Sequence, residues 1–181
     1  MKPPNDADIS SALCQLIDKS VRWSQVRSVA GGCISHAMQI TLTSDQLGSR
    51  TVFAKSNTPS FVDNFQSEWD GLTALAAAES IFAPQPIAVG IAAERSWLIT
   101  EWVERQPNSE TFFNDFGRQL AELHRATAGN QIGWPRDNFL GAALQPNTAT
   151  ANHTGYHFID LLLKLARAQA PAEPPGSPHP V

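Results

Sequence analysis

The stretch "TVFAKSNTPSFVDNFQSEWDGL", Thr51 to Leu72, holds the pattern on which the fold turns. "TVFAKS" reads as a strand ending at Lys55, with Phe53 and Lys55 on one face because side chains alternate along a strand. A helix follows, roughly Ser60 to Ser80, with Phe61, Phe65, Trp69, Leu72 and Leu75 as its apolar stripe. Glu68 lies three residues after Phe65 and one before Trp69, so it borders that stripe. A carboxylate there needs a cationic partner or a water-filled cleft. Lys55 on the neighbouring strand is one such partner; a solvated place at the edge of the stripe is the other reading of Glu68. Lys55 itself reads either as a point charge for phosphate oxygens or as an exposed lysine at a strand end.

Working outward from this stretch, "ISSALCQLIDKS" forms a first helix, with Asp8 or Ser10 as its cap and Ile9, Leu13, Leu16 and Ile17 on one face. "VRSVAGGCISHAMQITLTS" reads as two strands joined at Gly31-Gly32, and in the second His36, Met38, Ile40 and Leu42 share a face. The glycine pair suits an ordinary hairpin turn, and it equally suits a backbone that approaches phosphate oxygens and offers them N–H groups. "DQLGSR" is a turn. Downstream, "IAVGIAA" and "SWLITEWV" are two more strands, and "SETFFNDFGRQLAELHRATA" is a strongly amphipathic helix. "GNQIGWPRDNFLGAALQPN" is loop-rich, Tyr156 to Gln169 is a short apolar helix, and the Pro-rich end from 170 to 181 is expected to be disordered. The order of helix, three strands, helix, two strands, helix is an α+β layout. It matches a protein-kinase-like N-terminal lobe, an antiparallel sheet plus a helix, followed by the first helices of a second lobe, a layout that many other α+β domains share. We divide the chain at 1–103, 104–169 and 170–181 accordingly.

Asp115-Phe116-Gly117 spells the magnesium-binding signature of protein kinases. Its surroundings argue against that role. Phe112, Phe116, Leu120 and Leu123 fall at i, i+4, i+8 and i+11, which is helical spacing, and a metal-binding version needs a loop after a strand. The three residues therefore read as part of a helix, with Phe116 in the core and Asp115 solvated. A catalytic loop of the form His-x-Asp with a later Asn is not begun by His36, His124, His153, His157 or His179, and Asp160 falls inside the last helix. No catalytic residue and no metal ligand is assigned.

Composition narrows the classes further. The 181 residues are 42% hydrophobic with a net charge of −4, enough for a packed core and unsuited to a nucleic-acid partner. No apolar run reaches the ~20 residues of a membrane helix. Cys14 and Cys33 show neither metal spacing nor a secreted disulfide pattern, so a soluble cytoplasmic protein is expected.

Taken together, "GGCIS" (Gly31 to Ser35), "VFAKSN" (Val52 to Asn57), "FQSEWDGL" (Phe65 to Leu72), "LITEWVE" (Leu98 to Glu104), "LAELHR" (Leu120 to Arg125) and "IGWPRDNFLG...QPN" (Ile132 to Asn147) resemble the fructosamine kinase (ketosamine-3-kinase) family. That family is related in fold to aminoglycoside phosphotransferases and choline kinases. The resemblance implies Mg-ATP-dependent phosphorylation of ketosamines on glycated proteins, a deglycation repair. It implies that Gly31 and Gly32 belong to a phosphate-binding loop, with Cys33 in that loop where some members carry a redox-linked cysteine. Lys55 would be the nucleotide-phosphate lysine, Glu68 its partner, and Glu101, Trp102 and Val103 the adenine-binding hinge. The last quoted motif suits either proximity to the sugar or a structural turn capped by Asp137-Asn138. The family's His-Gly-Asp loop and Asp-Pro-Ala metal segment are absent. The chain is therefore expected to be truncated and inactive, to bind ATP weakly without magnesium ligands, and to self-associate through exposed apolar helices. The alternatives are another small-molecule phosphotransferase of the same fold, or a non-catalytic nucleotide-binding or interaction module.

Overall fold

The structure is a computed structural model that describes residues 2–30, 34–107, 109–126, 134 and 136–147. The Gly31-Gly32-Cys33 turn, the helix expected at 156–169 and the 170–181 tail lie outside the described residues. The elements run α1 (Asp6–Leu16), β1 (Arg22–Ser28), β2 (His36–Ser44), β3 (Gly48–Asn57), a 3-10 turn (Pro59–Phe61), α2 (Val62–Ala77), β4 (Pro86–Ala92), β5 (Arg95–Glu101), α3 (Phe112–Ala126), β6 (Asn138–Leu140) and β7 (Ala143–Gln145).

Five strands make one antiparallel sheet in the order β1-β2-β3-β5-β4, so β5 inserts between β3 and β4 after the excursion through α2. The alternation read in β2 holds: Met38, Ile40 and Leu42 are buried and meet Val52 and Ala54 of β3 in the core, whereas His36 is half-buried. Ala88 and Ala92 of β4 and Trp97 and Ile99 of β5 extend this face, and Ile9, Ala12 and Leu13 of α1 cover it. Each large side chain so buried contributes about 1.5–3 kcal/mol. Trp97 is 1% exposed, and its indole N–H donates to Ala92 O at 3.0 Å, so its polar atom is satisfied inside the core. The sheet and α1 approach so closely that a Cβ added at Gly90 would stand 2.9 Å from Leu16 Cδ2.

Three expectations need correction. The cap of α1 is Asn5: its side chain accepts from Asp8 N at 2.9 Å, and Asp8 answers by accepting from Asn5 N at 3.0 Å. Asp8 is therefore the third helical residue of a reciprocal capping box. Strand β3 continues past Lys55 to Asn57, because Ser56 and Asn57 go on pairing with Trp97 and Ser96. Phe116 does not sit in the core: it is 43% exposed and stacks on Phe112 at 6.2 Å between ring centroids. The helical reading of Asp115-Phe116-Gly117 stands, since all three lie inside α3 and Asp115 N donates to Thr111 O at 3.0 Å.

Among the described residues no helix is long and apolar enough to cross a membrane.

Candidate functional site

The face of the sheet opposite α1 carries Phe53 and Lys55, and α2 lies across it. α2 owes its position to Phe65, which is 1% exposed and packs edge-on against Phe61 at 5.2 Å. With the helix seated there, Glu68 comes to the sheet: Lys55 Nζ donates to Glu68 Oε1 at 2.5 Å. The pair is half-buried, at 28% and 39% side-chain exposure, so water still reaches both ions. Both charged groups line a cavity of about 710 Å³. Its lining includes Val29 of the segment after β1, Ala37 of β2, Phe53 of β3, Leu72 and Leu75 of α2, and Asn138, Phe139 and Gly141 of the β6–β7 hairpin. That volume lies within the range of small-ligand sites. Among the described lining residues, Lys55 is the one cation and Glu68 the one carboxylate. A lysine held in place by a carboxylate, at the wall of an open cavity, can present its charge to an incoming anion without first ordering its own four-carbon stem.

Phe53 adds an aromatic surface. Its ring centre is 5.9 Å from Lys55 Nζ and 6.3 Å from the Trp102 ring, so cation and aromatic faces meet at one wall. None of the expected hinge residues, Glu101, Trp102 and Val103, lines the cavity. Glu101 ends β5 opposite Val52, its N–H donates to Gln85 O at 2.8 Å, and its carboxylate accepts from Gln85 N at 3.5 Å. Trp102 turns its indole N–H to Glu104 Oε2 at 2.7 Å, and Val103 is 41% exposed.

One feature of the site went unread in the sequence, and a second was read there only as a candidate turn. Asn57, 7% exposed, donates through Nδ2 to Ile34 O and to Ser35 Oγ, both at 3.0 Å, and accepts from Thr58 N at 2.7 Å. It thereby pins Ile34 and Ser35, which follow Gly31-Gly32-Cys33 in the sequence, to the end of β3. An asparagine at the end of a strand is a visible signal, but its partner 23 residues away in sequence is not. The second feature is the short β6–β7 hairpin. Asp137 closes its base by accepting from Asn147 N at 2.9 Å, while Asn147 Nδ2 donates to Arg136 O at 3.3 Å. Asn138 accepts from Phe139 N at 2.8 Å. Of the two roles open for this motif, the structural turn is the one these bonds describe.

Comparison with known proteins agrees with this arrangement. A family model described as "Fructosamine kinase" matches residues 5–173. A probable ketoamine kinase of Synechocystis is 34% identical over 165 residues, covering 90% of this chain and 54% of that protein. One from Vibrio parahaemolyticus is 33% identical over 121 residues, covering 66% of this chain and 40% of its own length. The chain thus spans about half the length of the curated relatives it matches. A crystal structure of a Haemophilus somnus protein provisionally named fructosamine-3-kinase superposes with a TM-score of 0.66 at 26% identity, covering 80% of this chain and 48% of that one. The sheet order, the helix carrying Glu68 and the extent of the match have a single reading: the chain belongs to the fructosamine kinase family and has its protein-kinase-like fold.

Proposed function

We propose that the cavity beneath β3 binds the phosphates of ATP, and that the protein serves phosphoryl transfer to a ketosamine on a glycated protein or peptide. The observation that carries this reading is the Lys55–Glu68 pair at 2.5 Å on the cavity wall. In kinase-like enzymes such a pair aims a lysine at nucleotide phosphates. The donor set suits a nucleotide. Lys55 offers a fixed cation, Phe53 offers an aromatic face on the lining with Trp102 behind it, and the cavity is large enough for both ends. Gly31, Gly32 and Cys33 complete the phosphate side, and Glu101, Trp102 and Val103 the adenine side. ATP supplies the transferable phosphoryl group and magnesium the charge that shields it. The boundary between an N-terminal lobe and a second lobe falls after Val103.

A binding-only role for these 181 residues is the second reading, favoured by one observation. Among the described lining residues the one carboxylate is Glu68, and it is engaged by Lys55. Transfer to a sugar hydroxyl needs a carboxylate to orient that hydroxyl and another to hold magnesium. Affinity for Mg-ATP of about 1 mM, worth about 4 kcal/mol, is expected. We propose a cytoplasmic location, with which the free Cys14 thiol is compatible.

The test is a chemical-shift titration of the ¹⁵N-labelled chain with Mg-ATP, alongside ADP release with a fructosyl-lysine peptide. Saturable shifts at residues of β3 and α2, lost in Lys55→Met, support the nucleotide site. Shifts that do not saturate, or that Lys55→Met leaves unchanged, overturn it. ADP release above a no-enzyme control would overturn the binding-only reading.

A further inference from the structure

We propose that the β6–β7 hairpin is a positioning strut: it holds α2 in the register that keeps Glu68 on Lys55. Two ties carry the inference. Arg136 Nε meets Asp70 Oδ2 at 3.0 Å, and Asn64 Nδ2 donates to Gly141 O at 3.0 Å. Asn64 lies one turn before Glu68 and Asp70 two residues after it, so the ties bracket Glu68 along about 9 Å of helix axis. The second oxygen of Asp70 accepts from Gln66 Nε2 at 3.1 Å, which fixes the carboxylate that Arg136 meets. At 22% side-chain exposure Asp70 is the more buried partner of its pair.

The hairpin could not hold this place by its own stability. Three residues pair with three, Leu140 and Leu144 are 51% and 60% exposed, and an isolated two-stranded hairpin is marginal in water. Its order must come from the cross-ties. Gly141 makes the close approach possible: its φ is +63°, and a Cβ there would stand 3.1 Å from Ile34 Cδ1. The hairpin turn therefore meets Ile34 and, through the Gly141 carbonyl, α2, while Arg136 at its flank grips α2 a second time. A chain segment that follows α3 reaches back 77 residues to the helix that carries the ion pair. A slide of α2 by one residue, 1.5 Å along its axis with a 100° turn, would take Glu68 off Lys55. Arg136 and Asp70, which do not line the cavity, are in this view positioning residues that act through Glu68, whereas Asn64 both ties the hairpin and lines the cavity.

The functional consequence rests on the proposed nucleotide site, so the experiment separates the two. Arg136→Glu, Asp70→Arg and the Asp70→Arg/Arg136→Glu exchange are compared with wild type and Lys55→Met in the full chain. Asn64→Ala removes the second tie without a charge change. Each is measured for Mg-ATP affinity by chemical-shift titration, for amide hydrogen exchange in α1 and α2, and for thermal midpoint. The ties are partly exposed and worth about 1 kcal/mol each. Each single change should thus weaken Mg-ATP binding about threefold to fivefold and speed exchange in α2 by a similar factor, with α1 unchanged. The exchanged pair should recover most of both. A purely structural role would lower the thermal midpoint without an affinity change that the exchange rescues. Wild-type affinity and wild-type α2 exchange in the single variants would overturn the strut while leaving the Lys55 site intact. If wild type and Lys55→Met bind alike, the nucleotide reading fails instead, and selective α2 exchange with rescue then decides the strut alone. Equal acceleration in α1 and α2 means general loosening and also overturns it.

Discussion

Lys55→Met removes the ammonium and keeps most of the stem, and it should affect ligand binding far more than folding. The stability side follows from exposure. With 28% and 39% of the two side chains open to water, the Lys55–Glu68 pair belongs with surface ion pairs, worth at most about 1 kcal/mol. Glu68 left alone is rehydrated at little cost, since it already touches solvent. A loss of that size lowers the melting midpoint of a chain this long by about 2–4 °C. The binding side is larger. A hydrogen bond from a lysine to a phosphate oxygen is charge-assisted and worth about 1.5–3 kcal/mol, hence about a tenfold to hundredfold loss of Mg-ATP affinity. Glu68→Gln, which keeps the lysine but frees it to move, should lose less, about threefold to tenfold. Chemical-shift titration gives the affinities, and thermal melting by circular dichroism gives the midpoints. A fall of more than about 10 °C in Lys55→Met would show that the pair is a folding element. Unchanged affinity would show that the lysine faces the wrong ligand.

Asp18 accepts from Ser20 N at 2.7 Å and from Ser20 Oγ, and its other oxygen accepts from Gln46 N at 3.3 Å. The Ser20 hydroxyl, with help from the Ser20 and Gln46 amides, holds its carboxyl below the usual carboxylate range. Because the folded value is depressed, this contribution is complete well above pH 4 and is lost as pH falls below about 3.8, the ordinary aspartate value. The melting midpoint of Asp18→Asn should therefore lie below wild type at pH 7 and converge on it in acid; a gap that stays constant down to pH 2 would contradict this. Gly90→Ala drives a Cβ to 2.9 Å from the end of the Leu16 side chain, which can swing aside, so a loss of about 1 kcal/mol is expected by thermal melting. Phe112, Phe113 and Phe116, 40%, 78% and 43% exposed, should give concentration-dependent mass in light scattering that Phe113→Ser/Phe116→Ser abolishes. Asp115→Ala should leave Mg-ATP affinity within twofold of wild type, since Asp115 lies in α3 beside Arg118 at 3.5 Å, away from the cavity wall.

What was legible in the sequence was whatever a local period or a short contact decides. Alternation fixed the inward face of β2, and helical spacing put Glu68 at the border of an apolar stripe. Those two periods suffice to bring Lys55 and Glu68 together once α2 lies on the sheet. The period of α3 likewise exposed Asp115-Phe116-Gly117 as helical. It misled on burial, because an amphipathic pattern says which side of a helix is apolar and not whether anything covers it. Phe116 is the instance. The cap of α1 was misassigned for a related reason: Asn5, Asp8 and Ser10 are all good caps by residue type, and only the backbone shows where the first helical turn begins.

The β6–β7 hairpin lay beyond such reasoning because each of its bonds is either very long-range or between residues that look like ordinary turn formers. Arg136 reads as a surface arginine, and Asp70 as a solvated helix residue beside Trp69. Nothing in their spacing of 66 positions marks them as a pair. The glycine at 141 suggests a turn without saying what the turn must approach. Three coordinates change its meaning: a positive φ, Ile34 Cδ1 within 3.1 Å of the missing Cβ, and a carbonyl taken by Asn64. The Asp-Asn, Gly and Gln-x-Asn series then has a structural account in the hairpin's own bonds. Asp137 and Asn147 staple the hairpin, Gly141 lets its turn reach the glycine-turn flank and α2, and Arg136 anchors it on Asp70. On the proposed strut, the hairpin fits one helix to one loop, and loss of its ties to α2 is expected to be felt first at the Lys55–Glu68 pair.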